Sequence, residues 1–353
     1  MLSDYIYHIV IITILLMLLV IYFLVGLVIE IRIVSRLREK QKNNFLIQWE
    51  SLIFEYLDNG ILPNDFVNRI PARKYKFLLE YIAEFLINLK GDDFNKLVAL
   101  ITSTKLSGYL LKKLESDNKK NIIFASFFAG IAGVEDAVPV LRKKIKKHNE
   151  QIFFSCASAL AKLNSYENLD LMLTEFKRYK HYGFLLLILT EFDEKICDKI
   201  IDMMNSEMPD ALLVTLIRVL RYYKYQNAGP AVLTKLVYSY SKDIIVESLK
   251  FIEEIKYKNA VPAVSRLLEH SKPEIRSQAV KTIMKLDSNS YEEKVYTKLF
   301  DSNYEVQYQS AFGILNYCED GEEKLSELAY DLKNSNAAAI SRMLLSEKKV
   351  KEG

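Results

Sequence analysis

Residues 243–255 read DIIVESLKFIEEI, residues 274–286 read EIRSQAVKTIMKL and residues 305–317 read EVQYQSAFGILNY. Stacked at a spacing of 31 residues, they align Ile244, Ser248, Ile252 and Ile255 with Ile275, Ala279, Ile283 and Leu286, and with Val306, Ser310, Ile314 and Tyr317. The spacing i, i+4, i+8, i+11 is one stripe of an α-helix, with a small residue at its second position. The same register runs back through Leu213, Gly183, Ile152 and Ile122 at gaps of 30 or 31 residues. A fixed period of this length comes from stacked supersecondary units that each bury a face on their neighbours. It points to a binding surface rather than to a globular pocket enzyme.

The turns between stripes carry their own pattern. AVPVL at 137–141, GPAVL at 229–233 and AVPAV at 260–264 place a proline at the opening of a helix, where its missing N–H costs no hydrogen bond. SKPEIRSQAV at 271–280 and DSNYEVQYQSA at 301–311 put a polar capping turn before an aliphatic residue, with a small residue four positions on. Ala157, Ser248, Ala279 and Ser310 leave room for the next unit to approach. Each unit therefore reads as a pair of antiparallel helices. Units near 183–225 lack the proline.

Upstream, residues 43–118 are helical but out of register. A face of Phe45, Trp49, Leu52, Ile53 and Tyr56 runs to Asp58-Asn59-Gly60, and a short element starts at Leu62-Pro63. An amphipathic helix covers 74–89, and 97–114 reads as helical with a break at Gly108. This segment is expected to cap the first hydrophobic face of the stack.

AVPAVSRLLEHSKPEIRSQAVKTIMKL, residues 260–286, has an Ala-Val-Pro opening, paired leucines, a proline at the inter-helix turn, Ile-Arg and a second-helix alanine. In these features it resembles a bacterial HEAT repeat. AVPVLRKKI at 137–145 and AGPAVLTKL at 228–236 match the opening half, and the resemblance covers residues 120–320. It implies an all-α fold, a right-handed, armadillo-like α-solenoid of HEAT-like helical pairs, and protein–protein scaffolding. By itself it implies no activity.

Residues 9–29, IVIITILLMLLVIYFLVGLVI, contain no charge. As a helix, such a run spans roughly 30 Å, the hydrocarbon thickness of a bilayer. A cleaved leader needs a basic n-region and a small-residue cleavage site, and MLSDYIYH supplies no Lys or Arg. A single transmembrane helix is therefore expected before the solenoid. Arg32, Arg36, Arg38, Lys40 and Lys42 follow it, against Glu39. The positive-inside rule then places the N-terminus outside and the solenoid in the cytosol, at the inner (cell) membrane. The domains expected are 1–42, anchor with basic flank; 43–118, helical cap; 119–335, HEAT-repeat solenoid; and 336–353, C-terminal helix end and tail. This layout resembles membrane-bound bacterial HEAT-repeat proteins found beside a membrane glycosyltransferase in exopolysaccharide-type gene clusters, with RKYKFLLEYIAEFLINLKGDDFNKLVAL at 73–100 matching the cap. That resemblance implies a membrane-associated protein partner of this kind.

Composition narrows the chemistry. The 353 residues hold 11 glycines and 7 prolines, too few breakers for anything but a largely helical chain. Net charge is +3, of which residues 1–42 supply +2 (five bases, three acids), so the remainder is near neutral and lacks the basic face that a nucleic-acid groove needs. Charge is unevenly spread: residues 105–147 carry ten Lys/Arg against four Asp/Glu, and residues 287–331 carry eleven acids against three lysines. A surface of Lys112, Lys113, Arg142, Lys143, Lys144, Lys146 and Lys147 would suit anionic headgroups.

Cys156, Cys197 and Cys318 are far apart and read as buried thiols of a reducing compartment. His8, His148, His181 and His270 sit in different elements with no metal partner at helical spacing, and no HExxH, CxxC, GxSxG or P-loop occurs. The pairs Glu253-Glu254, Glu292-Glu293 and Glu322-Glu323 diverge by about 100° on a helix, poor geometry for acid/base work. No catalytic, cofactor-binding or metal site, no cofactor and no small-molecule substrate is expected. The function expected is a membrane-anchored scaffold. Two alternatives stand beside it: a lyase-like solenoid enzyme or cofactor-handling protein working on its concave face, and a protein that binds anionic membrane surfaces.

Overall fold

A computed structural model describes the chain over residues 2–147, 149–330 and 335–352, with the side chains of 1–14, 31, 34–35, 37–48, 335 and 351–352 left out. The described residues form α-helices and short 3₁₀ turns, with no strand among them. They divide into two compact units, residues 1–137 and 138–353.

The first unit holds six helices: α1 (Leu2–Leu57), α2 (Pro63–Asn68), α3 (Tyr75–Asn88), α4 (Asp92–Thr102), α5 (Lys105–Glu115) and α6 (Lys119–Ile131). Its core gathers Trp49, Ile53 and Tyr56 from the end of α1 with Phe66, Leu78, Ile82, Leu97, Leu100 and Leu110. The Tyr56 hydroxyl donates to the Lys96 carbonyl at 2.7 Å, tying α1 to α4. The break expected at Gly108 lies earlier. Ser103 ends α4, and Thr104 opens α5 by accepting from the Leu106 N–H at 3.3 Å, so a threonine cap rather than glycine decides the boundary.

The single membrane-spanning helix, and the inner-membrane localisation that rested on it, is corrected. Among the described residues no helix is long and apolar enough to cross a membrane. Among the described side chains of α1, residues 15–29 are apolar and exposed, and Glu30 follows them. Residues 9–14 of the run lie outside the described side chains, as do Tyr5, Tyr7, His8, Arg38, Lys40, Lys42, Phe45 and His148.

The second unit is a stack of antiparallel helical pairs, the architecture of an α-solenoid. First helices are α7 (Val138–Lys144), α9 (Leu169–Phe176), α11 (Ile196–Met203), α13 (Gly229–Tyr238) and α15 (Val261–Leu267). Second helices are α8 (Glu150–Lys162), α10 (Tyr182–Leu189), α12 (Asp210–Tyr222), α14 (Lys242–Ile255) and the first arm of α16 (Pro273–Thr297). Helix α16 breaks at Asp287 (φ −159°, ψ 71°), so its second arm starts a further pair completed by α17 (Tyr304–Tyr317). Helices α18 (Gly321–Leu328) and α19 (Ser335–Glu352) close the unit against α17. From Ile152 onward, every register position of the repeat falls one to three residues inside a second helix of this unit; Ile122 falls in α6 of the first. Most stripe positions are buried: Ile244, Ser248, Ile252, Ile275, Ala279, Ile283, Val306, Ser310 and Ile314 are each at most 4% exposed, but Tyr317, the last position of the third stripe, is 39% exposed at the end of α17, and Gly183 is exposed.

A backbone corner repeats with the same period. Gly133, Asn164, Lys224 and Lys256 end α6, α8, α12 and α14 in the left-handed region, at φ 67°, 51°, 50° and 53°. After each, the next N–H reaches back to the carbonyl five residues before it: Val134 to Ala129, Ser165 to Leu160, Tyr225 to Leu220 and Tyr257 to Ile252, at 2.9–3.1 Å. This six-to-one bond satisfies an orphan helix carbonyl and turns the chain into the 3₁₀ turn that opens the next helix. A β-carbon in this region costs on the order of 1 kcal/mol. Lys256 is exposed, so Lys256→Gly is expected to stabilise the protein by about 0.5 kcal/mol after the glycine's own entropy is subtracted. A urea-unfolding midpoint that moves down instead would remove the strain argument.

Candidate interaction surface on the second helices

On each second helix the buried stripe leaves an opposite face, and the pairs α12–α14, α14–α16 and α16–α17 pack side by side. Those faces therefore line up, and polar side chains meet from one unit to the next. Ser158 on α8 donates to Glu191 at 2.5 Å, and Lys162 lies 3.3 Å from the same carboxylate. Arg218 Nε on α12 donates to Glu247 Oε2 on α14 at 3.2 Å. Arg221 Nη2 lies 2.8 Å from Glu247 Oε1, an ion pair without hydrogen-bond alignment, since that oxygen has no hydrogen-bond partner. Glu247 is 2% exposed, and two guanidiniums compensate its burial.

The next junction is built around Glu253, 8% exposed. It accepts from Gln278 Nε2 at 2.7 Å and from Lys285 Nζ, with Lys281 at 3.8 Å. The hydrogen bond that Lys285 donates to Glu253 raises its ammonium above the usual lysine range. Its sequence neighbour Glu254 points elsewhere, to Lys224 at 2.7 Å, which is the divergence that adjacent helical positions impose.

Exposed apolar side chains flank this polar row. On α10, Phe184 and Leu187 are 54% and 62% exposed, and Phe184 lies 5.1 Å from Phe154 of α8. On α17, Tyr304, Phe312 and Tyr317 are exposed. Between α16 and α17 a cleft of about 380 Å³ is lined by Lys281, Met284, Lys285, Tyr308, Gln309, Phe312, Gly313 and Tyr317. These cross-unit contacts join residues 25–33 apart, one period of the repeat. The register therefore held the signal that would have found them.

The candidate headgroup surface is incomplete. Arg142, Lys143, Lys146 and Lys147 are exposed, but Lys144 is 5% exposed and Ile145 is buried, because α7 turns that face into the core. His181 Nε2 lies 3.0 Å from Glu150, and His270 Nδ1 accepts from the Lys272 N–H at 3.0 Å, so each histidine sits at a helix end with a local partner. Among the described residues no group of three or more His, Cys, Asp or Glu side chains is placed to hold a metal ion.

The thiols are poor nucleophiles. Cys156 and Cys197 are 0% exposed. Burial, then Glu194 and Asp198, pushes Cys197 up to about 12, and burial, then Glu292, does the same for Cys318. Thiolate is the reactive form. At neutral pH both cysteines are expected to alkylate with iodoacetamide at least about tenfold more slowly than a free thiol, and to reach the free rate in denaturant. Fast labelling of the native protein would contradict the burial.

No family model matches the chain, and no curated protein matches it. Solved structures similar to it include the complex of CpcE and CpcF of phycocyanin lyase from Nostoc sp. PCC7120, at 15% identity over 68% of this chain and 94% of that one, with a TM-score of 0.28. Human deoxyhypusine hydroxylase is similar at 11% identity over 70% and 98%, with a TM-score of 0.32. Kap121p is similar at 10% identity over 78% of this chain and 41% of its own, with a TM-score of 0.41. These likenesses are too distant to carry function, and the helical stack rests on the register, the caps and the packing described above.

Proposed function

We propose that the protein is a scaffold that binds a protein partner through the layer of second helices. The observation that supports this is the flanking of a polar row on α12, α14 and α16 by exposed apolar side chains on α10 and α17. A polar surface with exposed aromatic and aliphatic anchors is the make-up of a protein interface. The acids of the row, Glu191, Glu247 and Glu253, are each engaged by a base of a neighbouring unit. That arrangement favours recognition over acid/base chemistry, and it sets the lyase-like reading second.

The test crosslinks the full-length protein in cells and identifies what is captured. Leu187→Asp with Phe312→Asp disrupts the layer, and Arg266→Glu on the exposed face of α15 is the control. Loss of one reproducible partner with the first variant and its retention with the second is the expected result. The glycosyltransferase implied by the resemblance of residues 73–100 to the cap of such HEAT-repeat proteins is the first identity to look for. Equal capture by both variants would move recognition off this layer, and turnover of a small molecule without any partner would favour the enzyme reading.

A further inference from the structure

The cleft between α16 and α17 has two unlike walls. On α17, Tyr308 and Phe312 line the cleft, and Tyr304 extends their row one turn beyond it, at i, i+4 and i+8. Their rings run nearly parallel, with centroids 6.4 and 6.3 Å apart and interplanar angles of 24° and 22°. The row is about 12 Å long. On α16, Lys281 and Lys285 lie one turn apart. Met284 and Gly313 form the floor, where a β-carbon on Gly313 would meet Met284 Cγ at 2.8 Å, so the glycine lets the two helices approach and shapes the cleft.

Charge is unbalanced at the lysine wall. One carboxylate, Glu253, serves Lys281, Lys285 and Gln278 together. Of the neighbouring acids, Glu254 is engaged by Lys224 at 2.7 Å, and Glu305 accepts from the neutral Gln309 amide at 3.0 Å on the α17 side. The Lys281 ammonium, 3.8 Å from Glu253 and 44% exposed, is the cation with capacity to spare. At the other wall Tyr308 has Glu305 and Glu347 in its field. An occupant's negative charge therefore belongs against α16 and its apolar part against α17.

We propose that this cleft binds an acidic peptide segment of the partner, with a carboxylate on Lys281 and an adjacent aromatic or large aliphatic side chain on Tyr308 and Phe312. The proposal rests on the scaffold reading and gives it a contact. A 12 Å aromatic row matches about four residues of extended peptide, longer than one small planar acid would use. The cleft's volume suits one or two side chains of such a segment.

The test labels the methionine methyls of the full-length protein with carbon-13 and assigns Met284 by Met284→Leu. The probe is a blocked hexapeptide alternating glutamate and phenylalanine; its lysine–phenylalanine counterpart and free phenylacetate are the comparisons. The acidic peptide is expected to shift the Met284 methyl, with binding weakened about fivefold by Lys281→Met and severalfold by raising salt to about 1 M. No shift, an equal shift from the lysine peptide, or phenylacetate binding as tightly as the peptide would each overturn the proposal. Crosslinked capture separates the two readings. A partner lost with Leu187→Asp but kept with Lys281→Met plus Phe312→Ala leaves the scaffold standing and sinks the cleft. Peptide binding without any captured partner sustains the cleft and sinks the scaffold.

Discussion

Gly321→Ala is expected to destabilise the protein by about 3 kcal/mol, with the loss concentrated at the end of the stack. Gly321 opens α18, and a β-carbon there would lie 2.1 Å from the Ile314 carbonyl oxygen and 2.8 Å from its carbon. Both atoms belong to the backbone of α17, which cannot rotate away as a side chain can. Relief requires α18 to move off α17, and α19 packs on both helices. Stacked units contribute to stability as a sum of unit and neighbour terms, so the damage stays local. Hydrogen exchange should show faster opening of α17, α18 and α19 while α12 and α14 keep their protection. Gly108→Ala is the internal contrast. Gly108 is exposed in the middle of α5 with nothing within 4 Å of an added β-carbon. That change is expected to stabilise by about 0.7 kcal/mol through helix propensity alone. Similar effects from the two substitutions would refute the clash.

Asp301→Ala is expected to cost about 3 kcal/mol at neutral pH. Arg276 holds this carboxylate with two nitrogens, Nε to Oδ2 at 2.8 Å and Nη2 to Oδ1 at 2.6 Å, in a fork-to-carboxylate pair. Its third nitrogen, Nη1, donates to the His270 and Ser271 carbonyls at 2.9 and 3.0 Å. One guanidinium thus fastens the turn before α16 to the turn before α17. Arg276 and Asp301 side chains are 13% and 8% exposed, so removing the acid leaves a cation largely out of water.

The pH dependence has a definite sign. Burial pushes the Asp301 carboxyl up, but the Arg276 hydrogen bonds and the Asn303 N–H outweigh it and hold the group below its ordinary 3.8. A carboxyl depressed in the folded state contributes stability that is complete above its unfolded value and is lost as pH falls through the folded value. The gap between wild type and Asp301→Ala should therefore be constant above about pH 5 and narrow below about pH 4. Urea unfolding at a series of pH values measures it. A gap that widens in acid would mean that the pair is not what the substitution removed. Replacing both partners, Arg276→Met with Asp301→Leu, should recover most of the loss, because the cost lies in the orphaned charge.

Sequence periodicity was enough to place the second helices, because a buried stripe leaves a spacing that any reader can count: Ile275, Ala279, Ile283 and Leu286 sit inside α16 as expected. Local capping chemistry was less visible. Gly108 looked like a breaker, yet it is a tolerated helix residue, and Thr104 makes the break with a side-chain oxygen. Lys144 looked like one more surface cation within RKKIKK, and only the orientation of α7 shows it buried. The apolar run near the start was read by length, and among the described residues no helix is long and apolar enough to cross a membrane. The cleft was out of reach, since it needs Lys281 and Phe312 from different units and a glycine whose importance lies in what it lets approach.

The four left-handed corners bear on how such a chain drifts. Glycine, asparagine and two lysines make the same turn. What the corner demands is a backbone bond, and that demand places little restriction on which side chain is written there. Mutation can therefore overwrite the letters of one unit after another while the handover between helices survives. Copies of an ancestral unit would then lose their mutual likeness in sequence long before they lost it in shape. An array of this kind is better counted by its dihedral angles than by its residues.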